Sequence, residues 1–206
     1  GMGGTLSAAL CPGARRWCGG LIMVMSLAAL SGHTPGFDEP MEMLGACHGR
    51  IGAQCETLLR LVPHTVAHGA DVPEQEAARA VLRYFNTAGV NHHLDEEQDL
   101  FPALLAAAPG DVTVVLLAGL CADHAAMLGA WHGQVAPALE SLCNGVPRPL
   151  DAATVETFVA MYRRHIVREE SELIPLANTV LSPAQLAALG RAMAARRGVA
   201  SPSVDG

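Results

Sequence analysis

The chain has 206 residues, 50% of them hydrophobic and only 4% aromatic, with 20 acidic residues against 13 basic ones and a formal charge of -7. Every basic residue is Arg and none is Lys, which excludes Schiff-base chemistry, lysine nucleophiles and a Walker-type phosphate lysine, while the acidic balance argues against nucleic acid, whose binding demands a basic face. The length suits a single domain with a substantial core, and apolar content made mostly of Ala, Leu and Val favours helices over sheet.

Residues 1–36 form an apolar arm, in which Arg15-Arg16 followed by the run from Leu21 to Leu30 imitates a secretory signal. The run is too short to span a bilayer. A long Gly-rich stretch precedes it, so the reading favours a cytoplasmic protein without membrane contact, whose arm packs on a partner subunit in a homodimer. Export is the alternative, should residues 15–32 act as a signal.

Residues 37–180 read as an antiparallel up-down four-helix bundle. Phe37-Asp38-Glu39-Pro40 opens the first helix, with Pro early and acids in the first turn, and an inward stripe of Leu44, His48, Ile51, Cys55, Leu58 and Val62 follows. The second helix starts at Asp71-Val72-Pro73-Glu74 and carries Val81, Phe85, Ala88, His92, Glu96 and Ala103 until Pro109-Gly110 stops it. The third spans about 111–142 with Leu117, Leu120, His124, Trp131 and Val135 inward. The fourth follows Pro149-Leu150-Asp151 with Val155, Phe158, Tyr162, His165, Glu169, Leu173 and Leu176. Residues 181–206 supply a short fifth helix over about 184–197 and a loose tail, with no candidate chemistry.

Six cysteines, Cys11, Cys18, Cys47, Cys55, Cys121 and Cys143, include no C-x-x-C pair and no zinc-finger spacing, so they read as reduced, buried, small apolar residues. Cys47, beside His48, would be a reactive thiol only in an accessible, electropositive setting.

The chemistry sits in four histidines. Antiparallel neighbours bring two residues to one level when both lie equally far from the turn that joins them. Halfway between His48 and His92 is Ala70, halfway between His92 and His124 is Ala108 beside Pro109-Gly110, and halfway between His124 and His165 falls at Asn144-Gly145. Each midpoint lands on or beside a chain breaker, so all four imidazoles are expected within roughly one turn of a common plane. The chain also repeats itself: the eleven residues from His92 to Pro102 align without a gap on those from His165 to Pro175, matching His92 and Glu96 with His165 and Glu169. Each His-x-x-x-Glu step places an imidazole and a carboxylate on one helix face. The repeat also sets the register, leaving His93, Glu97 and Glu170 about 100° around from the inward line.

Four His and two Glu suit a pair of cations, with Glu96 and Glu169 each able to reach both. Mixed nitrogen and oxygen donors favour iron or manganese over calcium or copper(I), and two glutamates would otherwise be unpaired charges in an apolar interior. His64 and His68 form a further i, i+4 pair near a helix end, read as surface, and His33 and His132 have no evident partner. A ferritin-like arrangement requires Glu-x-x-His, and no Glu here is followed by His three residues later.

The His48 region, His-His-x-x-Glu-Glu-x-x-Leu-Phe-Pro at 92–102, Asp123-His124 and His165-x-x-x-Glu169-Glu170 together resemble the hemerythrin-like, HHE cation-binding family over about residues 37–180. The resemblance implies a carboxylate-bridged di-iron centre, with Mn or Zn as substitutes, in which His48, His92, His124 and His165 are terminal ligands and Glu96 and Glu169 bridges. His93, Glu97 and Glu170 would flank it. Oxygen-carrying members place another His four residues after the third-helix ligand, where this chain has Leu128, so the set is closer to the bacterial iron-centre repair proteins. The expectation is a protein that binds or responds to O2, NO or peroxide, or handles labile iron, with Met127, Leu128, Trp131 and Tyr162 lining the approach. The alternatives are a di-iron oxidase, peroxidase or NO-reducing enzyme, and an interaction protein that the metal merely staples.

Overall fold

The computed structural model describes residues 33–146 and 150–199. The amino-terminal run read as an arm or signal, and the tail from residue 200, lie outside the described residues. Helix α1 is Pro40–His68. Helix α2 is a rod over 72–107 in which α-helical Val72–Tyr84, Val90–Leu94 and Phe101–Ala107 alternate with π-helical Phe85–Gly89 and Asp95–Leu100. Helix α3 covers 111–143, with π-helical Trp131–Val135 between Asp111–Ala130 and Ala136–Cys143, and α4 covers 152–180, with π-helical Glu169–Leu173 between Ala152–Arg168 and Ile174–Val180. Helix α5 is Pro183–Arg196. No strand occurs among the described residues.

The rod ends follow from local chemistry. Asp71 caps α2 in a reciprocal box with Glu74, Asp151 caps α4 through the Thr154 amide, and Ser182 with Gln185 caps α5. Gly69 and Gly145 leave α1 and α3 with φ of 74° and 72°, a left-handed conformation costly for any residue with a Cβ. The consecutive rods run antiparallel, α1 and α3 each pack against α2 and α4, and α5 lies across α1 and the Asp95–Leu100 segment of α2.

Three π-helical segments end two residues before a proline: Leu100 before Pro102, Val135 before Pro137, Leu173 before Pro175. A helical proline offers no N–H and its ring crowds the carbonyl four residues back; the wider i to i+5 turn accommodates both within a continuing rod. The widening sets the register of the core. Side chains at His92, Glu96, Leu100 and Leu104, and at His165, Glu169, Leu173 and Ala177, are all buried at steps of four, whereas in an unbroken α-helix each such step overshoots by about 40°. It also explains three errors in the expected stripes. Ala88, Ala103 and Leu176 are only half-buried, and the next residue in each case, Gly89, Leu104 and Ala177, takes the inward place, because each follows or lies within a turn holding one extra residue. Val62 likewise gives way to Leu61, with no π-turn to account for it.

Buried side chains fall into two apolar layers. One gathers Ile51, Leu58, Phe85, Met127, Trp131, Phe158 and Tyr162; the other gathers Leu44, Leu100, Leu104, Leu120, Leu173 and, from α5, Met193. On every rod of the bundle the histidine expected at mid-height lies between the two: His48, His92, His124 and His165 are each 3% exposed or less. The third rod is long and apolar enough, by length and composition, to cross a bilayer, yet here it is one wall of the bundle.

Candidate metal centre

Two donor groups meet in that middle layer. His48, His92, Glu96 and Glu169 offer one ligand atom each within 4.8 Å of one another, and so do Glu96, His124, His165 and Glu169. The two groups share both glutamates. Glu96 turns Oε1 toward His92 Nε2 at 3.7 Å and Oε2 toward His124 Nε2 at 3.3 Å. Glu169 sets Oε2 3.0 Å from His48 Nε2 and Oε1 2.7 Å from His165 Nε2. Each carboxylate therefore divides its oxygens between the His48/His92 pair and the His124/His165 pair.

Several of these approaches lie within ion-pair range without hydrogen-bond alignment. Buried His48 Nε2, both ring nitrogens of His92, His93 Nε2, Glu96 Oε2 and both Glu169 oxygens have no hydrogen-bond partner among the described residues. Buried polar atoms in folded proteins are normally satisfied, so such a concentration in one layer asks for another partner. His124 Nε2 and His165 Nε2 are 2.9 Å apart. Two donors about 2.1 Å from one cation and at right angles lie about 3.0 Å apart. The donor set fits metal cations.

The hemerythrin HHE cation binding domain family matches residues 39–177. The chain belongs to that family. It is also 34% identical over 163 residues, 79% of this chain and 92% of the relative, to a protein of Haemophilus influenzae described as uncharacterized.

In this HHE domain a ring of outer carboxylates fixes the imidazoles. His48 Nδ1 donates to Glu170 Oε1 at 3.2 Å, His124 Nδ1 to Glu97 Oε1 at 2.7 Å, and His165 Nδ1 faces Asp123 Oδ2 at 3.5 Å. An imidazole that donates from Nδ1 presents the Nε2 lone pair, and the carboxylate raises its basicity. Glu97 and Glu170 occupy matching places in the internal repeat and each reaches the neighbouring rod. Asp123 carries the same arrangement without a counterpart in the repeat, and only its adjacency to His124 drew it into the sequence motif. Arg168 Nη1 lies 3.8 Å from Asp123 Oδ2 on the far side.

The layer's electrostatics show the strain of collecting so many donors. Burial and then the Glu169 charge push Glu96 up to about 8. Burial works against ionisation of Glu169 too, but His124, His165 and His48 close around it hold it well below the usual carboxylate range. Burial likewise opposes charging His48 and His124, and the glutamates beside them win, taking both up to about 10. His92 goes the other way, driven well down by burial and by His48.

The residues expected to line the approach divide. Met127, Trp131 and Tyr162 are buried in the apolar layer next to the histidines, Trp131 Nε1 donating to Asn86 Oδ1 at 2.8 Å and burial pushing the Tyr162 hydroxyl's pKa up. Leu128 does not join them. It is 47% exposed, because one turn beyond His124 the inward place belongs to Met127, so contrary to expectation it does not line the approach. His93 lies closer than its offset implied, its ring stacked on His124 with centroids 4.0 Å apart and 14° between planes.

Helix α5 braces the flank of the layer through contacts that the sequence did not mark: Arg197 clasps Asp95, the residue before Glu96, through Nη1 to Oδ1 at 3.1 Å and Nη2 to Oδ2 at 2.6 Å, and Arg196 pairs with both Asp95 and Asp99. Asp95 is fully buried. Of the cysteines, Cys47 and Cys55 are buried, burial lifting the Cys55 thiol to about 12, but Cys121 is exposed and Cys143 half-buried; Cys11 and Cys18 lie outside the described residues. His64 and His68 lie with tilted rings, centroids 4.5 Å apart, at the outer end of α1, remote in sequence from the central layer.

Proposed function

We propose that this chain holds two iron ions, one between His48 and His92 and one between His124 and His165, with Glu96 and Glu169 bridging them, and that the pair binds or responds to O2, NO or peroxide. The observation that carries the reading is the sharing of both glutamates between two otherwise separate imidazole pairs, each oxygen turned to a different pair. Iron is favoured by the donor chemistry: imidazole with carboxylate, no thiolate among the central donors, and no all-oxygen cage. Bound there, two Fe(II) ions would supply redox-active, Lewis-acidic centres able to take a small exogenous ligand.

The protein's own part is to hold, orient and enclose. Glu97, Glu170 and Asp123 keep Nδ1–H engaged so that each Nε2 faces inward. Phe101, stacked beside His124 at 6.1 Å, and the layer of Met127, Trp131 and Tyr162 keep the surroundings apolar, admitting a small neutral molecule more readily than an ion.

The test is anaerobic reconstitution with Fe(II), iron counted per chain, followed by O2 or NO under visible absorption. Two irons and a new absorption band with either gas are expected. Fewer than two irons would remove the paired centre; two irons with silence toward both gases would remove the small-ligand role.

A further inference from the structure

We propose that the turn between α1 and α2 builds a separate metal site, in which His64, Asp71 and Glu74 hold one zinc-class divalent cation outside the central layer.

The site grows out of the helix cap. In the reciprocal capping box the Glu74 amide donates to Asp71 Oδ1 at 3.0 Å and the Asp71 amide donates to Glu74 Oε2 at 3.3 Å. Each carboxylate thereby commits one oxygen to the backbone and keeps the other. Both remaining oxygens face the same atom: Asp71 Oδ2 lies 3.3 Å and Glu74 Oε1 3.6 Å from His64 Nε2. The three residues each offer a ligand atom within 4.8 Å of the other two. The Asp71 contact is aligned as a hydrogen bond, so the in-plane side of Nε2 is turned toward the carboxylates. Donors held tetrahedrally about 2.1 Å from one zinc ion stand about 3.4 Å apart, and the two separations fall on either side of that figure.

Glu74 gives an independent sign that a partner belongs here. Its side chain is 2% exposed, and Oε1 has no hydrogen-bond partner among the described residues. A buried carboxylate oxygen left bare loses its hydration without replacement. His64 stands beyond hydrogen-bond range of it, and Arg60, which lines the same cleft, donates to Thr57 Oγ1 at 3.0 Å instead. A cation between the three donors would satisfy Oε1 while Asp71 and Glu74 go on capping α2, and it would tie the last turns of α1 to the first turn of α2. His64 and Asp71 are 41% and 39% exposed, so a fourth position is open to solvent and can take water, as in zinc sites with three protein ligands. One imidazole and two carboxylates suit Zn(II), which such donors bind more tightly than Fe(II).

The test is equilibrium dialysis of the full chain against buffered Zn(II), with zinc counted per chain for the parent, His64→Gln and Glu74→Gln. Neither substitution removes the cap: His64 stands outside it, and Gln completes a capping box as Glu does. Each variant is expected to hold one zinc fewer than the parent, or to hold it at least about tenfold more weakly, whatever number the central layer takes. In 15N spectra of the parent, the His64 imidazole signal, assigned by its loss in His64→Gln, should shift on zinc loading. Either variant keeping the parent's count and affinities overturns the proposal, as does an unmoved His64 signal or a parent that takes up no zinc. The cluster is then a helix cap with a histidine hydrogen-bonded to it, and the central pair of ions still stands or falls on its own iron count. Should Glu74→Gln fail to fold by circular dichroism, His64→Gln decides alone.

Discussion

The clasp of α5 on Asp95 gives a perturbation whose size can be worked from the contacts. Asp95 is fully buried, and the Arg196 and Arg197 side chains that hold it are 16% and 20% exposed. Replacing both with alanine leaves a carboxylate in the interior with no opposite charge in reach, a change that costs about 3–5 kcal/mol when one side of a buried pair is removed. For a chain of this length each kcal/mol lowers the midpoint by about 2–4 °C, so R196A/R197A should melt about 6–20 °C below the parent in calorimetry of the metal-free protein. Adding Asp95→Asn to that double variant removes the stranded charge and should recover more than half of the loss, because an ion pair exchanged as a unit for neutral groups is far less costly than one broken. A double variant within about 3 °C of the parent, or no recovery with Asn, would refute the claim that this pairing anchors α5.

Three other perturbations follow from single features. Leu128→His, which supplies the imidazole expected from oxygen-carrying relatives, should leave the iron count and the stability, to within about 0.5 kcal/mol, unchanged, since the side chain faces solvent; an added equivalent or a shifted spectrum would refute that placement. At Gly190 a Cβ would sit 1.7 Å from the Phe37 carbonyl oxygen, so Gly190→Ala should lose about 1–3 kcal/mol in urea unfolding as backbone is forced apart, and parental stability would show that the Phe37 backbone is not seated on α5. Chelating the metal from loaded protein should lower stability by about 2.7 kcal/mol for each site filled at a hundred times its dissociation constant; equal melting of loaded and chelated protein would show that the ions do not bind the native fold preferentially.

The bundle and its central layer were legible in the sequence because they rest on counting. Antiparallel rods joined by short turns force equal distances to the breaker, and Gly69, Gly110 and Gly145 all fall in the turns that the histidine midpoints indicate. Contacts that depend on three-dimensional approach were not legible. Arg196 and Arg197 sit about a hundred residues from Asp95, and nothing in either stretch marks the other as a partner. The slips at Ala88, Ala103 and Leu176 have a different origin, a helical period assumed constant where π-turns lengthen it. The prolines at 102, 137 and 175 were visible signals of three such turns, each two residues past the end of one. His93 was set off the inward line by the repeat, and its stacking on His124 shows how near the central layer that offset still leaves it.

The repeat also bears on how such a layer is built. Two helix pairs with the same His-x-x-x-Glu-Glu step give two equivalent half-sites, each rod's inner glutamate reaching across to the other pair and each outer glutamate steadying the next rod's imidazole. The repeat accordingly gives both donor groups two imidazoles and the same two carboxylates. Where the halves differ, at His93 against Ile166, the shared contacts are undisturbed, because the inner and outer glutamates belong to other residues. The packing of the four rods, set by apolar layers above and below, therefore stays as the repeat dictates.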